Sequence, residues 1–569
     1  MENLKFLGFA LGVAIWGLGV TPVRAAPADL QFSQVVDDFV FGSLALSPVT
    51  ASTVGYHRHH GEMLEDQLDD FSAAGIKAQI KLQRDIETRI EKLDAKALNQ
   101  EQRADIEIMQ DAIQATRLDI EEVQSYRHNP TVYVELVGNA LYTPYVLHYA
   151  AAEERFKHII QRLIRIPELV RQAEQNLGDA PEIWNKVARE ENTGNIDLID
   201  GVLRTGCPKG LGKEYAQAAE PALIALKAFN DFLDGTLSKK TSDWRIGRVY
   251  YAKKFSYVLA TGKTPDALLK EAEVDLSKTR DEMAQLAAPK TVEQALAEVA
   301  LAHATPHTYM GAAKQTLAAA TAFVKAKDLV TLPPNSNLQV IDTPVFMRGI
   351  YGVGGFNQAP PLEPKLGAFF WVTPIQDSWP QSRIDSKLRE YNDSGLAHLT
   401  VHEAMPGHYV QAEYANEVQP RSRRLLRSIY GNGPYVEGWA VYTQQLMAEQ
   451  GFLSDTPGYR LTLAKQKLRV LANTILDVRL QTMGMSDADA LDLMTKGTYQ
   501  EMEEATAKLQ RAKLSSCQLP TYYAGLKGWL AVREHFKATH GDAMTLKQFH
   551  EAALREGAVP LPVLDELLN

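Results

Sequence analysis

Thiol chemistry has almost no place in this chain. It holds two cysteines, Cys207 and Cys517, among 569 residues. Neither belongs to a Cys-x-x-Cys pair, which excludes a thiolate zinc site and a thioredoxin-like redox centre. A disulfide between them is open to an oxidising compartment, but separation along the chain says nothing of distance. Basic clusters are equally scarce. The net charge is −10, and the densest basic stretch, Arg421-Ser-Arg-Arg424 with Arg427 behind it, reads as a solvated helix face or a salt-bridge set. No nucleic-acid partner is expected. A phosphate loop is missing too: Gly352-Val-Gly-Gly-Phe356 lacks the Lys-Ser/Thr pair and the helix start that nucleotide binding requires.

Long apolar runs are confined to the first 26 residues. Lys5 precedes a run from Phe6 to Val20, followed by Thr-Pro-Val-Arg-Ala-Ala26. This is the pattern of a secretory signal peptide cut near Ala25 or Ala26. The run is short for a spanning helix, and no cysteine at its end argues for a lipid anchor. The expectation is a periplasmic or secreted protein with no stable membrane span after cleavage. The sequence carries no indicator of oligomeric state.

What is present is mostly helical periodicity. Lys77–Leu98 sets Ile80, Leu82, Ile86, Ile90 and Leu93 against charged residues, as an amphipathic helix does. Glu153–Leu177 repeats the pattern through Ile159, Ile160, Leu163, Ile164 and Leu169. Thr264-Pro-Asp266 reads as a cap with proline in the first turn, opening a helix towards Leu286. Long helices are expected over Leu461–Gln481 and Ser486–Lys513. One region differs: Asn337–Ile375 holds prolines, glycines and the runs Gln339–Ile341, Pro344–Met347 and Ala368–Val372, which read as two or three short strands. The fold class expected is mainly α, a large multi-helix fold around a cleft with a small hairpin or sheet. An N-terminal helical region over 27–240 is expected to interlock with a catalytic region over 241–569.

The chemistry concentrates in Leu399-Thr-Val-His-Glu-Ala-Met-Pro-Gly-His-Tyr-Val-Gln411 and in Tyr435-Val-Glu-Gly-Trp-Ala-Val-Tyr442. Two histidines, an adjacent glutamate and a distant glutamate are the set a catalytic zinc needs while keeping one position open for water. Glu437 lies among Val436, Trp439, Ala440 and Tyr442, where a carboxylate is costly unless paired or metal-bound. The spacing is unusual. His402 and His408 stand at i and i+6, which a straight helix would point apart. Pro406 removes a helical donor and Gly407 tolerates unusual dihedrals, so a local bulge is expected there to return His408 to the side of His402.

These motifs resemble the hallmark His-Glu-x-x-Pro-Gly-His-x-x-Gln and later Glu-Gly-Trp-Ala of the bacterial domain-of-unknown-function family 885. The resemblance extends to Pro48, Ala51, Thr53, Gly55 and His57, to Leu476-Asp-Val-Arg-Leu480, and to Gln518-Leu-Pro-Thr-Tyr-Tyr-Ala-Gly525. It therefore covers most of the mature chain, and it implies a largely helical, gluzincin-like metallopeptidase.

A zinc-dependent hydrolase of peptide bonds is accordingly expected, with one Zn²⁺ on His402, His408 and Glu437 and a peptide as substrate. Glu403, beside a ligand, is the expected general base. Developing negative charge needs a second donor; on the family's C-terminal motif this is Tyr522, with Tyr523 the alternative. Arg479 and Arg511 are candidates for gripping a substrate carboxylate, and Asp477 for supporting the site from behind. His398, four residues before His402, lacks an adjacent glutamate and reads as a supporting or core residue. His57, His59 and His60 read as a surface loop. The region Asn337–Ile375 stands just before the zinc motif, where an exposed strand would bind extended substrate by β-augmentation, or a small hairpin would merely pack. Two other readings remain: a zinc amidase acting on modified or non-peptide amides, and a non-enzymatic helical binding protein. The arginines suit either exo- or endopeptidase action, and two histidines with one glutamate favour zinc over manganese.

Overall fold

The structure, a computed structural model, describes residues 27–334, 337–348, 352–453, 456–541 and 544–569. The expected leader therefore lies outside the described residues. The fold is mainly α, a multi-helix assembly with small sheets. Among the described residues no helix is long and apolar enough to cross a membrane.

Local sequence explains where most helices start. Thr264 caps the helix Pro265–Ala287 by accepting from the Ala267 amide, with proline in the first turn. The two amphipathic stretches become Ala73–Ile90, which buries Ile86 and Ile90, and Ala152–Asn176, which buries Ile159, Ile160, Leu163 and Leu169 and leaves Ile164 exposed. Ser486–Lys513 is not one helix. It breaks into Asp487–Asp492, a π-helical turn over Leu493–Gly497, and Met502–Leu514. The helical spacing of its apolar residues does not reveal this break.

Helices α1 (Asp393–Glu403), α2 (His408–Ala415), α3 (Gly433–Glu449), α4 (Pro457–Thr482), α5 (Met502–Leu514) and α6 (Pro520–His540) carry the candidate site. A three-stranded sheet flanks them, formed by β1 (Leu338–Asp342), β2 (Gly354–Asn357) and β3 (Ala368–Val372) in the order β1-β3-β2. β3 is buried throughout, parallel to β1 and antiparallel to β2. The strands differ from expectation in two places. Val345–Met347 is a 3-10 turn, as Pro344 cannot donate to a ladder. The glycine-rich Gly352–Phe356 stretch supplies β2. Gly354 makes that possible: its φ is +152°, and a Cβ there would stand 2.3 Å from the Trp371 carbonyl oxygen. His57–His60 leads into a two-residue hairpin, Arg58–His59 with Glu62–Met63.

One large core draws on both ends of the chain, from Phe32 to Leu564, and a second cluster between Tyr133 and Leu237 packs beside it. Charge crosses the large core as well. Arg427 is 2% exposed and pairs with Asp105 at 2.9 Å and Glu101 at 2.6 Å, tying the helix Arg421–Ile429 to Gln100–Arg117. Arg423 and Arg427 of the basic stretch thus form a salt-bridge set, while Arg424 donates to the Val418 and Pro361 carbonyls and Arg421 lies over the Phe41 ring. Cys207 and Cys517 are both free.

Under α3 lies an aromatic cluster of Tyr435, Trp439, Tyr442 and Trp529, closed by His550. His550 Nδ1 sits 2.8 Å from the Leu329 carbonyl, so it carries the proton, and Nε2 accepts from the Tyr442 hydroxyl at 2.9 Å. Burial pushes its pKa down to about 4, against about 6.5 in an unfolded chain. The unfolded state thus binds the extra proton first, and His550's contribution is lost as pH falls from about 6.5 through 4. Thermal melts of metal-free protein should show a steeper loss of Tm over that interval in wild type than in His550→Gln. Parallel curves would exclude His550 as the source.

Candidate metal centre

Helix α1 begins at Asn392, whose side chain accepts from the Ser394 and Gly395 amides, both at 3.1 Å. It ends at Glu403, because Ala404 leaves helical geometry (φ −124°, ψ −71°). The chain turns through Met405–Gly407 and a new helix opens at His408. The expected bulge is therefore a full break between two helices. Proline supplies no amide for the helical ladder, and the Gly407 amide bonds back to the Val401 carbonyl at 3.0 Å. Only glycine fits that position, since a Cβ would lie 1.9 Å from the His402 carbonyl oxygen and 2.3 Å from that of Val401. Trp439 secures the turn from α3, its indole N–H reaching the Pro406 and Gly407 carbonyls at 2.9 and 3.2 Å.

The break brings the histidines together. The His402 and His408 rings stand 4.7 Å apart and nearly perpendicular. Their Nε2 atoms lie 3.6 and 3.5 Å from one atom, Glu437 Oε2. One ligand atom from each of the three residues falls within 4.8 Å of the others. With bonds of about 2.0–2.2 Å at tetrahedral angles, neighbouring zinc ligands are roughly 3.3–3.6 Å apart. Glu437 Oε2 is buried and makes no hydrogen bond among the described residues, so the set fits a metal ion better than a closed hydrogen-bond network. Burial alone would raise the Glu437 pKa, but His402 and His408 outweigh it and hold the carboxyl well below the usual range. The carboxylate is anionic at neutral pH.

Glu437 is placed by helix contact. Asn432 caps α3 through the Tyr435 amide at 3.0 Å. One residue after Glu437, Gly438 meets Gly525 of α6 backbone to backbone: a Cβ on Gly438 would lie 2.4 Å from Gly525 Cα. That approach places Tyr522 at the cluster, its ring stacked 6.2 Å from His402. Gln518 joins the two helices, with Nε2 at 3.4 Å from Glu437 Oε1 and 3.2 Å from the Tyr522 hydroxyl. Sequence reasoning assigned Gln518 no role, although it stands four residues before Tyr522 in the same motif.

The other candidates divide. Glu403, Tyr522 and Arg511 line the same cleft as His402, His408 and Glu437, of about 780 Å³. Tyr523 does not: its hydroxyl donates to Asp275 at 2.7 Å, because adjacent helical residues point about 100° apart. Arg479 is at the surface, paired with Glu273 at 2.6 Å. His398 is fully buried, stacked 4.1 Å from Tyr459, and burial pushes it down to about 4; it is a core residue. Asp477 is one step removed. It accepts from the Tyr251 hydroxyl at 2.6 Å and from the Cys517 amide at 2.9 Å, fixing the backbone beside Gln518. Burial lifts its carboxyl to about 6.

Comparison with known proteins places the chain. A family model described as bacterial protein of unknown function (DUF885) matches residues 48–568. The chain belongs to this family. Solved structures share the fold: one from Shewanella oneidensis, described as a candidate lipoprotein of unknown function, has a TM-score of 0.77 at 26% identity and covers 96% of this chain and 100% of its own. A second, from Colwellia psychrerythraea and also described as a candidate lipoprotein, has a TM-score of 0.78 at 17% identity, covering 95% and 98%. No curated protein matches the chain.

Gly438→Ala should force α3 and α6 apart and cost about 1–3 kcal/mol, with Tyr522 drawn away from His402. Thermal unfolding and tryptophan fluorescence would read both effects; an unchanged Tm would show that the crossing absorbs a methyl group.

Proposed function

We propose that this DUF885 protein is a zinc-dependent peptidase of the gluzincin-like kind, working outside the cytoplasm. The observation that carries the reading is the convergence of His402 and His408 Nε2 on a buried Glu437 oxygen that has no hydrogen bond. His402, His408 and Glu437 would hold the ion. When bound, zinc supplies Lewis acidity and a water acidified to a pKa of about 7.

The chain's own residues then divide the remaining work. Glu403, adjacent to His402 and lining the cleft, takes a proton from the attacking water and returns it to the leaving amine. Tyr522 keeps its proton, because burial and the nearby Glu437 charge raise its pKa well above the usual value. It therefore donates a hydrogen bond to negative charge developing on the carbonyl oxygen. Gln518 orients both Tyr522 and Glu437.

A peptide suits the cleft better than a small amide. β2 forms the edge of its sheet and lines the cleft from Gly354 to Asn357. Phe356 stacks 6.4 Å from His408. The Thr373 amide donates to the Val353 carbonyl, so by alternation Gly355 and Asn357 pair with β3, while Gly354 and Phe356 turn their N–H and C=O groups to the open edge. An extended peptide adds there as a further strand. The Shewanella relative's description as a candidate lipoprotein and the apolar N-terminal run agree on an extracytoplasmic site.

Metal analysis and a peptide-library digest test the reading together. Wild type should purify with about one zinc per chain, and Glu437→Ala with far less. Glu403→Gln should keep its zinc and lose at least 100-fold in kcat, the usual scale of general-base loss. Full zinc in Glu437→Ala, or full cleavage by Glu403→Gln, would refute the assignments.

A further inference from the structure

A second cavity of about 430 Å³ adjoins the cleft, and the two share Val436, Glu437 and Gln518. It begins one residue from each of two groups at the candidate centre. Val436 precedes Glu437 on α3, and Thr521, which also lines the cavity, precedes Tyr522 on α6. Another wall comes from the helix Gln100–Arg117, which turns Ile108, Ala112 and Ala115 to one face as positions i, i+4 and i+7. The helix Gly247–Leu259 adds Tyr257 and Val258. Most of the exposed lining is apolar.

The charges around this cavity select neither sign. Among the described residues three ionisable acids and bases reach it besides tyrosine: Glu437, Asp111 and Lys254. Glu437 is turned to the centre, with Oε2 facing His402 and His408 and Oε1 at 3.4 Å from Gln518 Nε2. Lys254 donates to the Ser516 hydroxyl at 3.0 Å. Burial, then the Glu107 charge, push the Asp111 pKa up to about 7, so this acid is only part-ionised at neutral pH. One engaged cation and one part-ionised acid of opposite sign give a charged occupant no matched partner, and such an occupant would lose its hydration on entry. An apolar occupant gains instead, because it removes apolar wall from water in proportion to the area covered. The space exists because positions 112 and 115 carry only methyl groups. Its volume admits a whole aromatic side chain.

We propose that this cavity is a specificity pocket for a large apolar side chain, aromatic or branched aliphatic, on a substrate residue near the scissile amide. The proposal rests on the peptidase reading and gives it a substrate class. The edge of β2 pairs with substrate backbone and is indifferent to sequence; side-chain choice needs a pocket beside it. Ala112 and Ala115 set that choice through their small size.

Binding without turnover tests it. Calorimetry on zinc-loaded full-length Glu403→Gln protein would compare N-acetyl-tetraalanine amide with versions carrying Phe, Lys or Asp at each position in turn. Phe at one position should tighten binding at least about tenfold over alanine, the scale on which apolar pockets discriminate. Lys and Asp at that position should bring no gain. Ala112→Phe and Ala115→Phe, which fill the cavity, should each erase the Phe gain while the all-alanine peptide binds as before, and either suffices if the other fails to fold. No gain from Phe at any position, an equal gain from Lys or Asp, or a Phe gain that survives both substitutions would overturn the proposal. Wild-type protein that binds the Phe peptide selectively, loses the preference on filling, and cleaves no peptide would retain the pocket and refute the peptidase reading instead.

Discussion

Backbone meets backbone at Gly438 and Gly525, and the candidate centre is built around that contact. Helices carrying ordinary side chains pack at interaxial distances of about 8–10 Å; here a single methyl group on either glycine would overlap the other helix. The close crossing sets Glu437 and Tyr522, on different helices, beside the same pair of imidazoles. A second glycine does the corresponding work one layer away. Gly407 lies against the carbonyls of His402 and Val401, so the chain reverses direction tightly enough to return His408 to His402. Trp439 couples the two constraints, because its indole is packed under α3 while its N–H holds the turn.

This arrangement brings polar groups together at a cost that other features offset. Glu437 is ringed by two imidazoles and an amide, with one oxygen aimed at the histidines and otherwise unpaired. A site with one buried anionic oxygen that has no hydrogen bond is poorly settled by itself. A metal cation would relieve that imbalance. The same logic separates these groups from Arg427, whose charge is fully met by Glu101 and Asp105 and which acts as a tie between distant helices.

Much of this was legible in the residue order. His402, Glu403, His408 and Glu437 stood out because carboxylate and imidazole in apolar company are expensive without a purpose, and the structure brings all four to one cleft. Most helices were legible too, since an apolar stripe recurring about every 3.6 residues matches one face of a helix and neither face of a strand. Errors arose where geometry depends on packing. Tyr522 and Tyr523 are chemically identical neighbours, and only the rotation of α6 sends one to the cleft and the other to Asp275. Arg479 and Arg511 look alike as isolated cations, and only the helix arrangement puts the second in the cleft. The strand at Gly354 was hidden because its glycine reads as a loop residue until a neighbouring carbonyl is seen to occupy the space of its Cβ.

By itself the sequence determined a mainly helical DUF885 protein, its family motifs, the metal-ligand residue types, and the need for a backbone irregularity at Pro406–Gly407. These follow from local rules: side-chain periodicity, the missing amide of proline, the cost of burying charge. Only the tertiary structure decided that the irregularity is a complete break between helices, that Gln518 bridges Glu437 and Tyr522, and that β2 is an edge facing the cleft. It also decided which of the candidate arginines shares the cleft with Glu403. Those outcomes depend on distances between segments far apart in the chain, set by how closely backbones pack, and no local pattern of residues encodes them.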